Sequence, residues 1–124
     1  MNVVDSSGWL EYFGDGPNAA FFAPAIENTR ELLVPTLSLY EVFKRVLQQR
    51  GEGEALQAVA LMQQGQVFDL TPAVALSAAK ASIELRLPMA DSVMLVTARL
   101  HGANFWTQDA DFDGVEGVKY VAKR

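Results

Sequence analysis

The sequence predicts an α/β protein with a central parallel sheet covered by helices on both faces. Two observations carry this. The candidate strands are contiguous apolar runs without alternation, such as Val3-Val4 and Leu32-Leu33-Val34, the pattern of strands buried on both faces. These runs alternate with amphipathic helical stretches, so successive strands need crossover connections and lie parallel. With 124 residues, 50% of them hydrophobic, the chain suits one domain, residues 1–124, with a single core.

Taken in order, Val3-Val4 runs into Asp5 and then into Ser6-Ser7-Gly8, which reads as a turn. Trp9, Leu10 and Phe13 form a short helical face, and Gly14-Asp15-Gly16-Pro17 is a loop by its turn chemistry. Residues 18–27 read as a helix that Pro24 should interrupt or kink. Leu32-Leu33-Val34 is the second strand, stopped by Pro35. Thr36 to Arg50 is a helix with Leu39, Val42, Phe43, Val46 and Leu47 on one side, and Gly51 ends it. A further helix over about 54–64 points Leu56, Val59, Ala60 and Met62 inward.

Val67-Phe68-Asp69-Leu70 is strand-like, and Thr71-Pro72 is an N-cap followed by a first-turn proline. The helix it opens reaches about Leu87 and is expected to bury Leu76, Ala79 and Ile83. Pro88 opens another, with Val93, Met94, Val96, Thr97 and Leu100 apolar before Gly102. Asn104 to Thr107 and Val118 to Val121 are the last strands. No repeat, linker or low-complexity stretch breaks the pattern.

Composition removes several classes of function. No run of about eighteen apolar residues is present to span a membrane, and no basic segment precedes an apolar leader, so a cytoplasmic protein is expected. Without cysteine, disulfides, thiol nucleophiles and thiolate-zinc sites are excluded. One histidine, His101, precludes paired-imidazole catalysis, and its place before Gly102 suits a helix C-terminus. The net charge of -5 argues against nucleic-acid binding by overall electrostatics, but not by a local basic strip.

The acids are the informative residues, and each has an ordinary explanation. Asp5 stands at a strand end, where it serves as an N-cap or as a ligand at the carboxyl edge where open α/β sheets bind. Glu41 fits a capping box with Ser38, unless the helix begins at Pro35-Thr36. It would then lie among apolar neighbours that require it to have a partner. Asp91 suits the first turn of its helix, and Asp109 and Asp111 suit a turn after a strand. Their placement shifts the balance, since each stands at a strand end or in the first turns of a helix. Carboxylates gathered at one edge repel one another, and a hard divalent cation relieves that with oxygen ligands alone. Asp109 to Gly114 also opens like an EF-hand loop, but the twelfth position is Tyr120 where a glutamate is required. No glycine-rich phosphate loop is present.

Val4-Asp5-Ser6-Ser7, Leu39-Tyr40-Glu41-Val42, Ala90-Asp91-Ser92 and Thr107-Gln108-Asp109-Ala110-Asp111-Phe112, in that order, resemble the motifs of PIN-domain nucleases. Size and spacing are similar to the small VapC-type toxins of toxin–antitoxin pairs, and the resemblance covers essentially the whole chain. It implies a three-layer α/β/α fold and a Mg²⁺- or Mn²⁺-dependent endoribonuclease that hydrolyses RNA through metal-activated water. It also implies a homodimer and a VapB-like antitoxin partner. By motif, Asp5, Glu41, Asp91 and Asp109 are the acidic quartet, Asp111 is an accessory, and Ser6 and Thr107 are supporting hydroxyls. In this scheme Asp5, Asp91 and Asp109 hold a metal, and Glu41 completes the site directly or through water. Lys44, Arg45, Arg86 and Arg99 are candidates for steering the RNA backbone, or equally solvated helix residues. Pro24 departs from the uninterrupted early helix usual in the family. The aromatics between Trp9 and Phe22 exceed what a short helical hairpin should bury, a further argument for a dimer.

Two other classes fit the sequence less well. A phospho-receiver domain wants adjacent acids after its first strand and a lysine ending its fifth, whereas Asp5 precedes serines and Lys119 lies inside the last strand. A catalytically inert PIN-like binding module would lack part of the quartet, which is present in full.

Overall fold

The computed structural model describes residues 1–124. Its sheet has five strands, β1 (Asn2–Val4), β2 (Leu32–Pro35), β3 (Gln66–Phe68), β4 (Asn104–Thr107) and β5 (Val118–Tyr120), in the order β3-β2-β1-β4-β5. Every adjacent pair is parallel. The chain builds outward from β1 to β3, then returns to place β4 on the other side of β1. A reversal of this kind opens a crevice outside the carboxyl ends of the two strands that flank it, here β1 and β4.

Six helices cover the sheet: α1 (Ser6–Phe13), α2 (Ala19–Glu27), α3 (Thr36–Arg50), α4 (Glu52–Met62), α5 (Pro72–Leu85) and α6 (Met89–Leu100). Alternate strand residues divide between two cores. Val4, Leu32 and Val34 pack with Trp9, Phe22, Val42 and Met62 beneath α1 to α4. Val3, Leu33 and Phe105 pack with Met94, Leu95 and Phe112 on the α6 side. α5 lies outside α6, joined to it by Val74, Ala78, Ala81, Val93 and Val96. The arrangement is three-layered α/β/α, as expected.

Several local expectations change. Ser6-Ser7-Gly8 is the first turn of α1, because the Asp5 carbonyl accepts the N–H groups of Gly8 and Trp9 at 2.8 and 3.1 Å. Gly8 is required there, since a Cβ would come within 2.6 Å of the Phe22 ring and 2.8 Å of Val4. α2 runs on through Pro24, which lies on its exposed side. α4 buries Ala55, Ala58 and Met62, not Leu56 or Ala60.

α5 buries Val74, Ala78 and Ala81 and leaves Ala79 exposed, with Leu76 and Ile83 75% and 82% exposed. Small side chains let α5 approach α6 closely, so size and not hydropathy selects its inner face. Leu47 and Leu100 are also exposed. The aromatic cluster finds partners inside the chain: Trp9 and Phe22 are fully buried, and Phe21 packs on Trp106 at 5.2 Å. It therefore supplies no argument for a dimer.

Candidate metal centre

Each acid is delivered by a different piece of the α/β framework. Asp5 directly follows β1, and its N–H donates to the Trp106 carbonyl of β4 at 2.9 Å. It occupies the N-cap position of α1, yet its carboxylate caps nothing. Instead Oδ2 accepts from Thr107 Oγ1 at 2.8 Å and from Ser7 Oγ at 3.0 Å. Only 3% of Asp5 is exposed, and the backbone of Ser6 adds a further hydrogen bond to its carboxylate. Asp91 lies in the first turn of α6, and Asp109 follows β4. Oxygens of Asp5, Asp91 and Asp109 all lie within 4.8 Å of one another.

Glu41 stands beside this trio. α3 begins at Thr36, so the capping-box reading with Ser38 fails. The Glu41 carboxylate accepts from Ser6 Oγ at 2.8 Å, which ties α3 to the start of α1. Asp109 does serve the local turn, as its Oδ1 accepts the Asp111 N–H at 3.0 Å. Its own N–H donates to Thr107 Oγ1 at 2.9 Å, so Thr107 links Asp109 to Asp5. Asp111 is exposed at the margin. Of the four basic residues named above, Arg99 is removed from this edge: it sits in the last turn of α6 and donates to the Glu116 carbonyl.

The electrostatics are those of an uncompensated acidic cluster. Burial pushes the Asp91 carboxyl up to about 7, and the Asp5, Asp109, Glu41 and Asp111 carboxylates add to the shift. Burial raises Asp5 as well, opposed by hydrogen bonds from Thr107 and Ser7 that favour its ionised form. None of the three ion pairs in the structure involves these acids. Three converging carboxylates with no protein cation fit a hard divalent ion, and all-oxygen ligation suits Mg²⁺ or Mn²⁺.

The sequence profile of the PIN domain matches residues 3–118. The chain belongs to the PIN domain family. This PIN domain shares its fold with a toxin–antitoxin complex from Klebsiella pneumoniae, at 21% identity over 96% of each chain and a TM-score of 0.78. It is similar in fold to Mycobacterium tuberculosis VapC20, described as a Sarcin-Ricin loop cleaving toxin, at 18% identity over 94% of this chain and 95% of that one, TM-score 0.76. DNA-bound VapBC from Salmonella typhimurium aligns at 14% identity over 98% and 97% of the two chains, TM-score 0.74. No curated protein matches the chain in sequence.

Three polar residues around the centre of this PIN domain escaped sequence reasoning. Ser7 donates to Asp5, as above. Buried Asn18 donates its amide to Gln108 Oε1 at 2.9 Å and to the Ala122 carbonyl at 3.0 Å. Gln108 in turn reaches the Ser7 carbonyl at 3.4 Å. The network clamps the start of α1, the start of α2 and the end of β4. Ser7 and Gln108 adjoin motif residues, the one signal available, whereas nothing in the spacing marks Asn18.

Proposed function

We propose that this PIN domain is a Mg²⁺- or Mn²⁺-dependent endoribonuclease and the toxin of a VapBC-type pair. The observation that carries the reading is the convergence of Asp5, Asp91 and Asp109 at the β1/β4 crevice without a protein counter-charge. These three hold the cation, with Glu41 completing the site directly or through water and Asp111 as an accessory at its margin. When bound, the ion supplies Lewis acidity, which polarises the scissile phosphate and makes water acidic enough to attack it. The protein's part is orientation. Thr107 and Ser7 fix the Asp5 carboxylate and favour its ionised form against the effect of burial, and Ser6 holds Glu41 against the start of α1. Hydrolysis is expected to leave a 5′-phosphate and a 3′-hydroxyl.

Purified protein incubated with total RNA, with and without Mg²⁺, tests this. Cleavage should require the metal and stop with chelator or with Asp5→Asn. Cleavage that survives chelation, or products ending in 2′,3′-cyclic phosphate, contradict it.

Two surfaces support the protein partners in this reading. A cleft of about 340 Å³ between α1, α3 and α4 is lined by apolar residues such as Leu10, Phe13 and Leu61 and equally by polar ones, Gln49, Arg50, Glu54 and Gln57 among them. It suits an amphipathic segment of a VapB-like antitoxin, whose basic side chain would block the acids. The exposed Leu76 and Ile83 of α5 suit a second copy, since a two-fold, antiparallel pairing sets each against the other. No helix is long and apolar enough to cross a membrane.

A further inference from the structure

Arg86 is held in a backbone conformation that arginine disfavours. It caps α5 in the left-handed region, at φ 56° and ψ 47°. One other non-glycine residue has positive φ, Asp15, and aspartate tolerates that region through its short polar side chain. At a helix C-cap of this kind glycine is the preferred residue. The conformation is enforced from both sides. The N–H groups of Arg86 and Leu87 both donate to the Ser82 carbonyl, and Ser82 Oγ donates to the Leu87 carbonyl at 2.6 Å. Leu87 is buried in the core beside Met94. Strain that the surroundings impose on an ill-suited residue points to a use for its side chain.

The position says what that use is. The short connection Arg86–Pro88 joins α5 to the start of α6, and Asp91 lies in that first turn. Arg86 therefore stands at the end of the sheet from which α6 starts, five residues before Asp91. Arg50 and Lys80 pair with Glu54 and Glu84, and Arg99 is engaged at the other end of α6. The Arg86 guanidinium is exposed and has no ion pair or hydrogen bond in the structure. A chain of net charge -5 with an acidic centre repels a polyanion, and a planar guanidinium is well matched to a phosphate diester.

We infer that Arg86 is a substrate-binding residue that grips an RNA phosphate beside the metal centre, at the expense of local backbone strain. The inference rests on the ribonuclease reading above. Arg86→Gly tests both contributions at once, because glycine relieves the strain, which melting reads, and removes the cation, which binding reads. With a random-sequence single-stranded RNA as probe, binding is measured against salt in Mg²⁺ over times shorter than cleavage, and melting is recorded alongside.

Arg86→Gly should melt a few degrees higher. It should bind RNA several-fold more weakly, with a salt slope smaller by about 0.7, the value for one phosphate contact on a single strand. Arg86→Lys should keep most of the slope. Wild-type affinity and slope in Arg86→Gly overturn the inference while leaving the ribonuclease reading intact. So does a lower melting temperature, which would mean that the fold itself needs the arginine. Failure of the wild-type protein to bind or cleave RNA in Mg²⁺ overturns both.

Discussion

Thr107 Oγ1 donates to Oδ2 of Asp5 at 2.8 Å, joining the carboxyl ends of β4 and β1 through side chains 102 positions apart. The same hydroxyl accepts the Asp109 N–H, so a single oxygen sets the spacing of two acids that the strands alone would leave free to turn.

Thr107→Val keeps the shape and removes this hydroxyl. The Asp5 carboxyl, already raised by burial, rises further, and the Asp109 N–H loses its acceptor. A ligand-orienting partner of this kind is worth about 10–100-fold in metal affinity. The Mg²⁺ concentration that half-saturates thermal stabilisation should increase by that factor, and Thr107→Ser should restore it. An unchanged midpoint in the valine variant refutes the role.

The acids also give the metal-free protein a pH dependence of definite sign. Asp91 titrates near 3.8 when unfolded and at about 7 when folded. Below the lower value both states hold the proton and stability is full. As pH rises the unfolded state ionises first, so stability falls until the folded pKa has been passed. Chelated protein should therefore melt higher at pH 5 than at pH 8, and saturating Mg²⁺ should narrow the difference. A metal-free melting temperature that rises over this interval contradicts the assignment.

The exposed face of α5 leads to an oligomer prediction. Sedimentation of the wild-type chain at micromolar concentration should show a dimer, and Ile83→Lys should shift it to monomer without lowering the melting temperature of the fold. A wild-type monomer refutes this interface.

Much of the architecture was legible because burial on two faces leaves a plain mark. Leu32-Leu33-Val34 carries no alternation since Leu32 and Val34 feed one core and Leu33 the other. The acids were legible as positions, each at a strand end or helix start, and four segments do bring them to one edge. Helix faces were less legible. α6 is buried continuously from Ser92 to Ala98 between the sheet and α5, Ser92 and Thr97 included, so its polar residues do not mark an outer face. α5 meets it through alanines while its large residues face outward. Asn18 was invisible for another reason: its partners Gln108 and Ala122 lie 90 and 104 positions away, beyond any local pattern.

The most direct test of the central claim, that these acids are one metal site, is a set of thermal melts of Asp91→Asn beside wild type, with chelator and with Mg²⁺. Asp91 sits against Asp5, Asp109 and Glu41 with no cation. Removing its charge should stabilise the metal-free fold by on the order of 1 kcal/mol, after allowance for solvent screening of a partly exposed group. The variant should also lose most of the stabilisation that Mg²⁺ gives by binding the native state. An Asp91→Asn protein that melts lower than wild type in chelator, or that Mg²⁺ stabilises as strongly, would show Asp91 to be a helix-dipole residue and contradict the account.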